Sequence, residues 1–157
     1  MEKALTFREI INGEELRACQ LVMESFNELV APDYREKWVI EFSKYLNPQF
    51  MQQRLVNNHF VIVALDKNVF AGIIEIRNYN HVSLLFVKRE YHHQGIAKKL
   101  LELAVTKCRK HDMNVALIEV NSSPFADFIY EKLGFLKISG EQVKNGIRFT
   151  PMTKKLN

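Results

Sequence analysis

Disulfides, membrane spans and metal clusters are all missing from what this sequence can build. Its 157 residues hold two cysteines, Cys19 and Cys108, too few for a disulfide framework and without the spacing of a metal site. No apolar run approaches the roughly 18 residues that a membrane span requires, so no membrane partner is expected. The opening MEKALTFREI carries acidic residues and no long apolar core, unlike a secretory signal, and a cytoplasmic location is the expectation. Glycine is scarce too, at 6 residues. None is followed by Lys-Ser or Lys-Thr as in a Walker loop, and no three fall at the spacing of a dinucleotide fingerprint. There is no internal repeat, low-complexity tract or linker. Lys and Arg outnumber Asp and Glu by 22 to 18, for a net charge of +4, but they are scattered. The pairs Lys98-Lys99 and Lys154-Lys155 are too short to make the basic stripe of a nucleic-acid binder, so no nucleic-acid partner is expected. The mild positive balance is compatible with a small polyanionic ligand.

What is present is the makeup of an ordinary globular protein, 47% apolar and 25% charged, which predicts one domain over residues 1–157. Leu5 to Ile11 reads as a strand. A helix starts at Asn12 or Gly13, with Leu16, Cys19, Met23, Phe26 and Val30 as its buried stripe, and Pro32 stops it. A second helical region carries Trp38, Phe42 and Tyr45 or Leu46 on one side, and Pro48 breaks it before Phe50, Met51 and Leu55. These aromatics can be plain core or the wall of an acceptor pocket, since pockets are mainly apolar as well. Phe60–Leu65, Val69–Ile76 and His81–Val87, joined by short polar turns, form an antiparallel meander. The helix that follows is apolar at Ile96, Leu100, Leu103 and Ala104 and again at Ala97, Leu101, Val105 and Cys108, so it lies on the sheet. It crosses to a strand at Asn114–Val120, which must then run parallel to the one before. A short helix, FADFIYEKL, ends at Gly134. Two closing strands, Phe135–Val143 and Ile147–Lys155, meet at the Lys144-Asn145-Gly146 turn, a strong hairpin signal.

The stretch from His81 to Leu101 organises the rest. An apolar strand ends in a charged connector, and the loop His92-His93-Gln94-Gly95-Ile96-Ala97 opens directly into the helix. Gly95 has no Cβ, so a phosphate can approach the backbone there closely. The unpaired N–H groups of the helix's first turn, with Lys98 and Lys99 inside it, make a ready anion site. A strand feeding an N–H-rich loop and a helix is a diphosphate holder, although a glycine before a helix is also a common turn residue.

Taken with the later block Tyr130-Glu131-Lys132-Leu133-Gly134-Phe135 and the closing hairpin, this loop resembles the GNAT superfamily of acyl-CoA-dependent N-acetyltransferases. The resemblance spans roughly Val69 to Leu156. The family's loop pattern is Gln/Arg-x-x-Gly-x-Gly/Ala; Gly95 and Ala97 fit it and His92 departs from it. The resemblance implies a mixed α/β fold: a mostly antiparallel sheet of about seven strands, a splayed parallel pair at its centre, and about four helices on both faces. It implies acetyl-CoA as co-substrate and no metal. The pantetheine arm would lie along Leu85, Phe86 and Val87 like an added strand. The pyrophosphate would sit on the amides of Gln94, Gly95, Ile96, Ala97 and Lys98, with His92 and His93 in contact with phosphate or solvent. Asn121, Ser123, Phe125, Phe128 and Tyr130 would flank the arm and the acyl end.

The implied chemistry is direct attack of a primary amine on the thioester, its carbonyl polarised by a backbone N–H, that of Val87. Tyr130 holds the position where many relatives protonate the departing thiolate, and a phenol of pKa about 10 is protonated and ready to donate. Candidates for the base that neutralises the amine are Glu75, His81 and Glu119. Each also has a plain structural reading: Glu75 on a solvated face or paired with Arg77, His81 closing the preceding turn, and Glu119 at a strand edge. Cys108, among apolar neighbours, reads as core rather than nucleophile. The acceptor would be a small-molecule amine or a peptide, its pocket drawn from the Phe26–Leu55 helices and the closing hairpin. The rival reading is a non-catalytic acyl-CoA-binding or regulatory module. The closing strands or first helices could pair two copies in a homodimer.

Overall fold

The computed structural model describes residues 4–33, 35–144 and 146–157. Residues 1–3 and Asn145 of the expected closing turn lie outside the described residues. β1 (Leu5–Glu9) leads to α1 (Glu15–Leu29), a short 3-10 turn (Ala31–Asp33), α2 (Glu36–Tyr45) and α3 (Pro48–Leu55). The meander follows as β2 (His59–Asp66), β3 (Val69–Arg77) and β4 (His81–Val87). A 3-10 turn (Arg89–Tyr91) connects to α4 (Ile96–His111), β5 (Leu117–Ser122) and α5 (Asp127–Lys132). The chain closes with β6 (Leu136–Lys137), β7 (Gln142–Lys144) and β8 (Ile147–Lys155). The sheet runs β1-β2-β3-β4-β5-β8-β6, with β7 paired to β8. All pairings are antiparallel except β4 with β5. The expected mixed architecture is therefore present, as eight strands and five α-helices among the described residues.

Apolar density explains the layers. β2 and β3 are buried along almost their whole length because helices cover both of their faces. On one face, Leu100, Leu101, Ala104 and Cys108 of α4 pack with Ile74, Ile76 and Ile118. On the other, Ala18 and Val22 of α1 and Met51 of α3 pack with Val61, Val63 and Ile73. Both thiols belong to these layers, and burial pushes Cys19 and Cys108 up to about 11, leaving them inert.

Three local expectations shift. Leu16 is exposed, because α1 starts only at Glu15 and buries Ala18, Cys19, Leu21, Val22 and Phe26 instead. Pro48 opens α3 rather than merely breaking α2: Asn47 Oδ1 accepts from the Gln49 N–H, and proline at the first helical position loses no hydrogen bond. The segment expected as one strand from Phe135 to Val143 is two short strands, β6 and β7, bound to different parts of β8.

The entry to α1 carries a charge clamp with a pH signature. Arg8 donates twice to the Glu14 carboxylate, both at 2.8 Å, and the Ile11 N–H donates to it at 2.8 Å. The Arg8 hydrogen bonds, ahead of the Ile11 N–H, hold the Glu14 pKa down at about 2. A depressed carboxylate stabilises the fold above its ordinary range, and that contribution disappears as pH falls from there toward 2. Glu14→Gln is accordingly expected to melt below the parent at pH 7, the two melting temperatures converging toward pH 2 when followed by circular dichroism.

Candidate active site

The site begins where the parallel pairing stops. β4 and β5 share only two register positions, His81 with Glu119 and Val82 with Val120. The β3–β4 register slips at the same place: Ile76 pairs with Val82 but Glu75 with Leu84, so Ser83 is an extra residue. A bulge of this kind bends its strand and increases the local twist, and from Ser83 onward β4 diverges from β5. The Lys88 N–H donates to Ala71 O. By the alternation of an antiparallel ladder, Phe86 then turns its main-chain groups to β3, while Leu85 and Val87 turn theirs into the gap.

The loop beyond β4 is held at several points. The Tyr91 hydroxyl donates to Asp66 Oδ2 at 2.8 Å, tying the connector to the end of β2. His92 Nε2 lies 2.8 Å from Val87 O, so that nitrogen carries the proton and donates. His92, the residue that departs from the family pattern, thus fastens the loop to the end of β4. His93 (φ +62°) and Gly95 (φ +76°) both adopt left-handed backbone on either side of Gln94. Successive N–H groups in such a geometry converge on an anion. They lead straight into α4, which has no side-chain cap at its start. A Cβ on Gly95 would meet nothing within 4 Å, so this backbone faces open space.

Gap and loop form one cavity of about 740 Å³. From the arm-binding set, Leu85, Phe86 and Val87 line it. From the loop, His92, His93, Gly95, Ile96, Ala97 and Lys98 line it, and Gln94 does not; its side-chain amide reaches toward Glu90 O at 3.4 Å. On the opposite side stand Asn121, Ser123, Phe125, Phe128 and Tyr130. Glu75 and His81 are not among the lining residues.

Tyr130 is fixed by the way α5 ends. Gly134, at φ +97°, lets the Phe135 N–H return to Tyr130 O and its own N–H to Glu131 O, the six-to-one closure that glycine permits. Lys154 caps the same turn by donating to Leu133 O at 2.7 Å. The Tyr130 ring meets Phe135 edge-on at 5.3 Å. Its hydroxyl makes no hydrogen bond to any described residue, and burial alone pushes its pKa well above the usual phenol value. The phenol is therefore protonated across the physiological range.

The three candidate bases occupy different settings. Glu75 is completely buried, bonded by Arg54 at 2.8 and 3.0 Å and by His59 Nδ1 at 2.8 Å. His81 is buried two residues before the gap opens at Ser83, with Glu119 Oε2 3.6 Å from its Nδ1. Burial first, then the charge of Arg77, lowers the His81 pKa against the opposing pull of Glu119. Glu119 itself is half exposed. The cavity is also walled by Phe26, Trp38 and Phe42 from α1 and α2 and by Ile147, Arg148 and Phe149 from β8, all within the helices and closing hairpin expected to supply an acceptor pocket. For the aromatic members the sequence signal is apolar periodicity, which does not separate core from pocket. No three His, Cys, Asp or Glu among the described residues cluster to hold a metal, and no described helix is long and apolar enough to cross a membrane.

Known proteins give the geometry its context. The family model described as "Acetyltransferase (GNAT) domain" matches residues 30–156. N-alpha-acetyltransferase 30 of Schizosaccharomyces pombe is 30% identical over 121 residues, covering 76% of this chain and 75% of that protein. Among solved structures, a GCN5-related N-acetyltransferase from Rhodopseudomonas palustris superposes with a TM-score of 0.83 at 19% identity, covering 99% of both chains. The PaiA N-acetyltransferase of Thermoplasma acidophilum, crystallised in complex with coenzyme A, superposes with a TM-score of 0.80 at 19% identity, covering 98% of this chain and 99% of the other.

Proposed function

This chain belongs to the GNAT acetyltransferase family, and we propose that it moves an acetyl group from acetyl-CoA to a primary amine by direct attack, without an acyl-enzyme. The observation that carries this reading is the gap between β4 and β5, which stays paired at only two positions and runs directly into the left-handed loop and the open start of α4. These residues fit the coenzyme: main-chain groups of Leu85 and Val87 for an extended arm, and convergent amides with Lys98 for a diphosphate. Bound acetyl-CoA supplies the activated acyl group as a thioester.

The chain's residues do the rest. The Val87 N–H, directed into the gap, is placed to hold the charge that develops on the acyl oxygen. Tyr130, kept protonated by burial, gives its proton to the leaving sulfur and recovers one from the attacking nitrogen, which sheds its second proton as it becomes the amide. His81, neutral at pH 7 because burial lowers its pKa, takes the proton of the incoming ammonium through water. Glu75 has its oxygens committed to Arg54 and His59 and serves the fold.

The test pairs coenzyme binding with turnover. Thiol release from acetyl-CoA is expected to depend on an added primary amine, and coenzyme A is expected to raise the parent's melting temperature. Gly95→Val puts a branched side chain at φ +76° in the open mouth of the loop. It is expected to abolish both effects while circular dichroism still reports a folded protein. A parent whose melting temperature ignores coenzyme A would overturn the reading.

A further inference from the structure

One wall of the cavity is built of rings. Phe26 and Phe42 stand 4.2 Å apart between centroids, Trp38 meets Phe26 edge-on at 5.3 Å, and Phe42 stacks on Trp38 at 5.5 Å. Phe86, from the diverging end of β4, adds a fourth ring 6.4 Å from Phe42. Phe125 and Ile147 pack on the same cluster. The charges tell the other half. Among the described residues that line the cavity there is no Asp or Glu; its cations are Lys98, Lys132, Lys144 and Arg148, the last bonded to Glu141 at 3.1 Å. Any further positive charge on an acceptor would lose its water here and find no carboxylate on the cavity wall in return.

From this juxtaposition we infer that the acceptor is a primary amine carried on an aromatic or branched apolar body with no second positive charge, its body lying against Phe26, Trp38, Phe42 and Phe86. Polyamines and other polycations are excluded as good acceptors. The inference rests on the acetyl-transfer reading for the fate of the amine. It also accounts for the lack of a carboxylate base in the cavity. Withdrawing the amine from water into an apolar wall favours its neutral form, which is the nucleophile.

The wall carries its own reporter, because Trp38 is the only tryptophan in the chain. The protein, loaded with coenzyme A to prevent turnover, is titrated with phenethylamine, phenylalaninamide, ethylamine and spermidine while Trp38 emission is followed. The same amines are then compared by thiol release from acetyl-CoA. A saturable emission change is expected with the two aromatic amines, and a kcat/KM at least about 100-fold above those of ethylamine and spermidine. Phe42→Leu is expected to lower kcat/KM for phenethylamine about tenfold and that for ethylamine by much less. Phe42→Asp, if it folds, should raise the relative rate with spermidine. Thiol release that favours spermidine or ethylamine would overturn the assignment and leave acetyl transfer standing. Saturable binding of the aromatic amines at Trp38 with no thiol released from any amine would support the pocket and overturn acetyl transfer. No emission change with either aromatic amine would overturn the pocket.

Discussion

An Arg54→Met protein is expected to lose about 3–5 kcal/mol of stability, the usual cost of leaving one member of a buried ion pair alone. For a chain of this size that corresponds to a melting temperature lower by roughly 6–20 °C. Glu75 has no exposed surface in the middle of β3, and Arg54 binds both its oxygens at 2.8 and 3.0 Å. Methionine fills much of the space but leaves the carboxylate with His59 as its remaining side-chain partner. Arg54 also donates to Tyr45 O at 2.9 Å and lies 4.0 Å over the Tyr45 ring, fastening the end of α2 to the sheet. Because α2 carries Trp38 and Phe42, the surviving fold should show a raised acceptor KM with coenzyme binding little changed. The double variant Arg54→Met, Glu75→Leu removes the orphaned charge and should recover much of the loss. A melting temperature equal to the parent's in the single variant would mean that water reaches Glu75 readily.

The second large effect belongs to catalysis. Tyr130→Phe is expected to lower acetyl transfer more than tenfold, within the range for removing a general acid, with KM values and melting temperature close to the parent's. The hydroxyl is free of protein partners among the described residues, so its removal costs the fold no hydrogen bond, and the ring keeps its edge contact with Phe135. Since burial raises the Tyr130 pKa, the group stays protonated as pH rises, and its own ionisation should produce no fall in rate up to about pH 10. Parent-like turnover in the Phe protein would remove Tyr130 from the mechanism without touching the cavity or the coenzyme slot.

Much of this was legible in the residues wherever the determinants are local. The strand His81–Val87, its loop and the helix from Ile96 follow from a short run in which apolar alternation, one glycine and helical periodicity agree. The same holds for Tyr130 through Phe135, where Gly134 ends the helix. Legibility fails where partners are distant or where one signal serves two purposes. Glu75 can be seen beside Arg77 in the sequence, but its actual partners are His59 on the neighbouring strand and Arg54, 21 residues earlier on a helix. Phe26, Trp38 and Phe42 show the spacing of a buried stripe, and they are buried; that their outer edges also line a cavity depends on where β4 parts from β5. The cause of that parting, one surplus residue at Ser83, leaves no mark in composition or periodicity.

The two-position seam between β4 and β5 is also a line of weakness. On one side stand β1 to β4, on the other β5 with the closing strands, and among the described residues their main chains pair as strands at His81–Val82 and Glu119–Val120, with the Glu119 N–H donating to Asn80 O. Side chains of α4 span the break, so the free protein is two half-sheets under a common strap. A ligand laid in the gap as an extra strand would serve as the missing rung between them, letting a small molecule decide whether amide protons on the two halves exchange separately or as one unit.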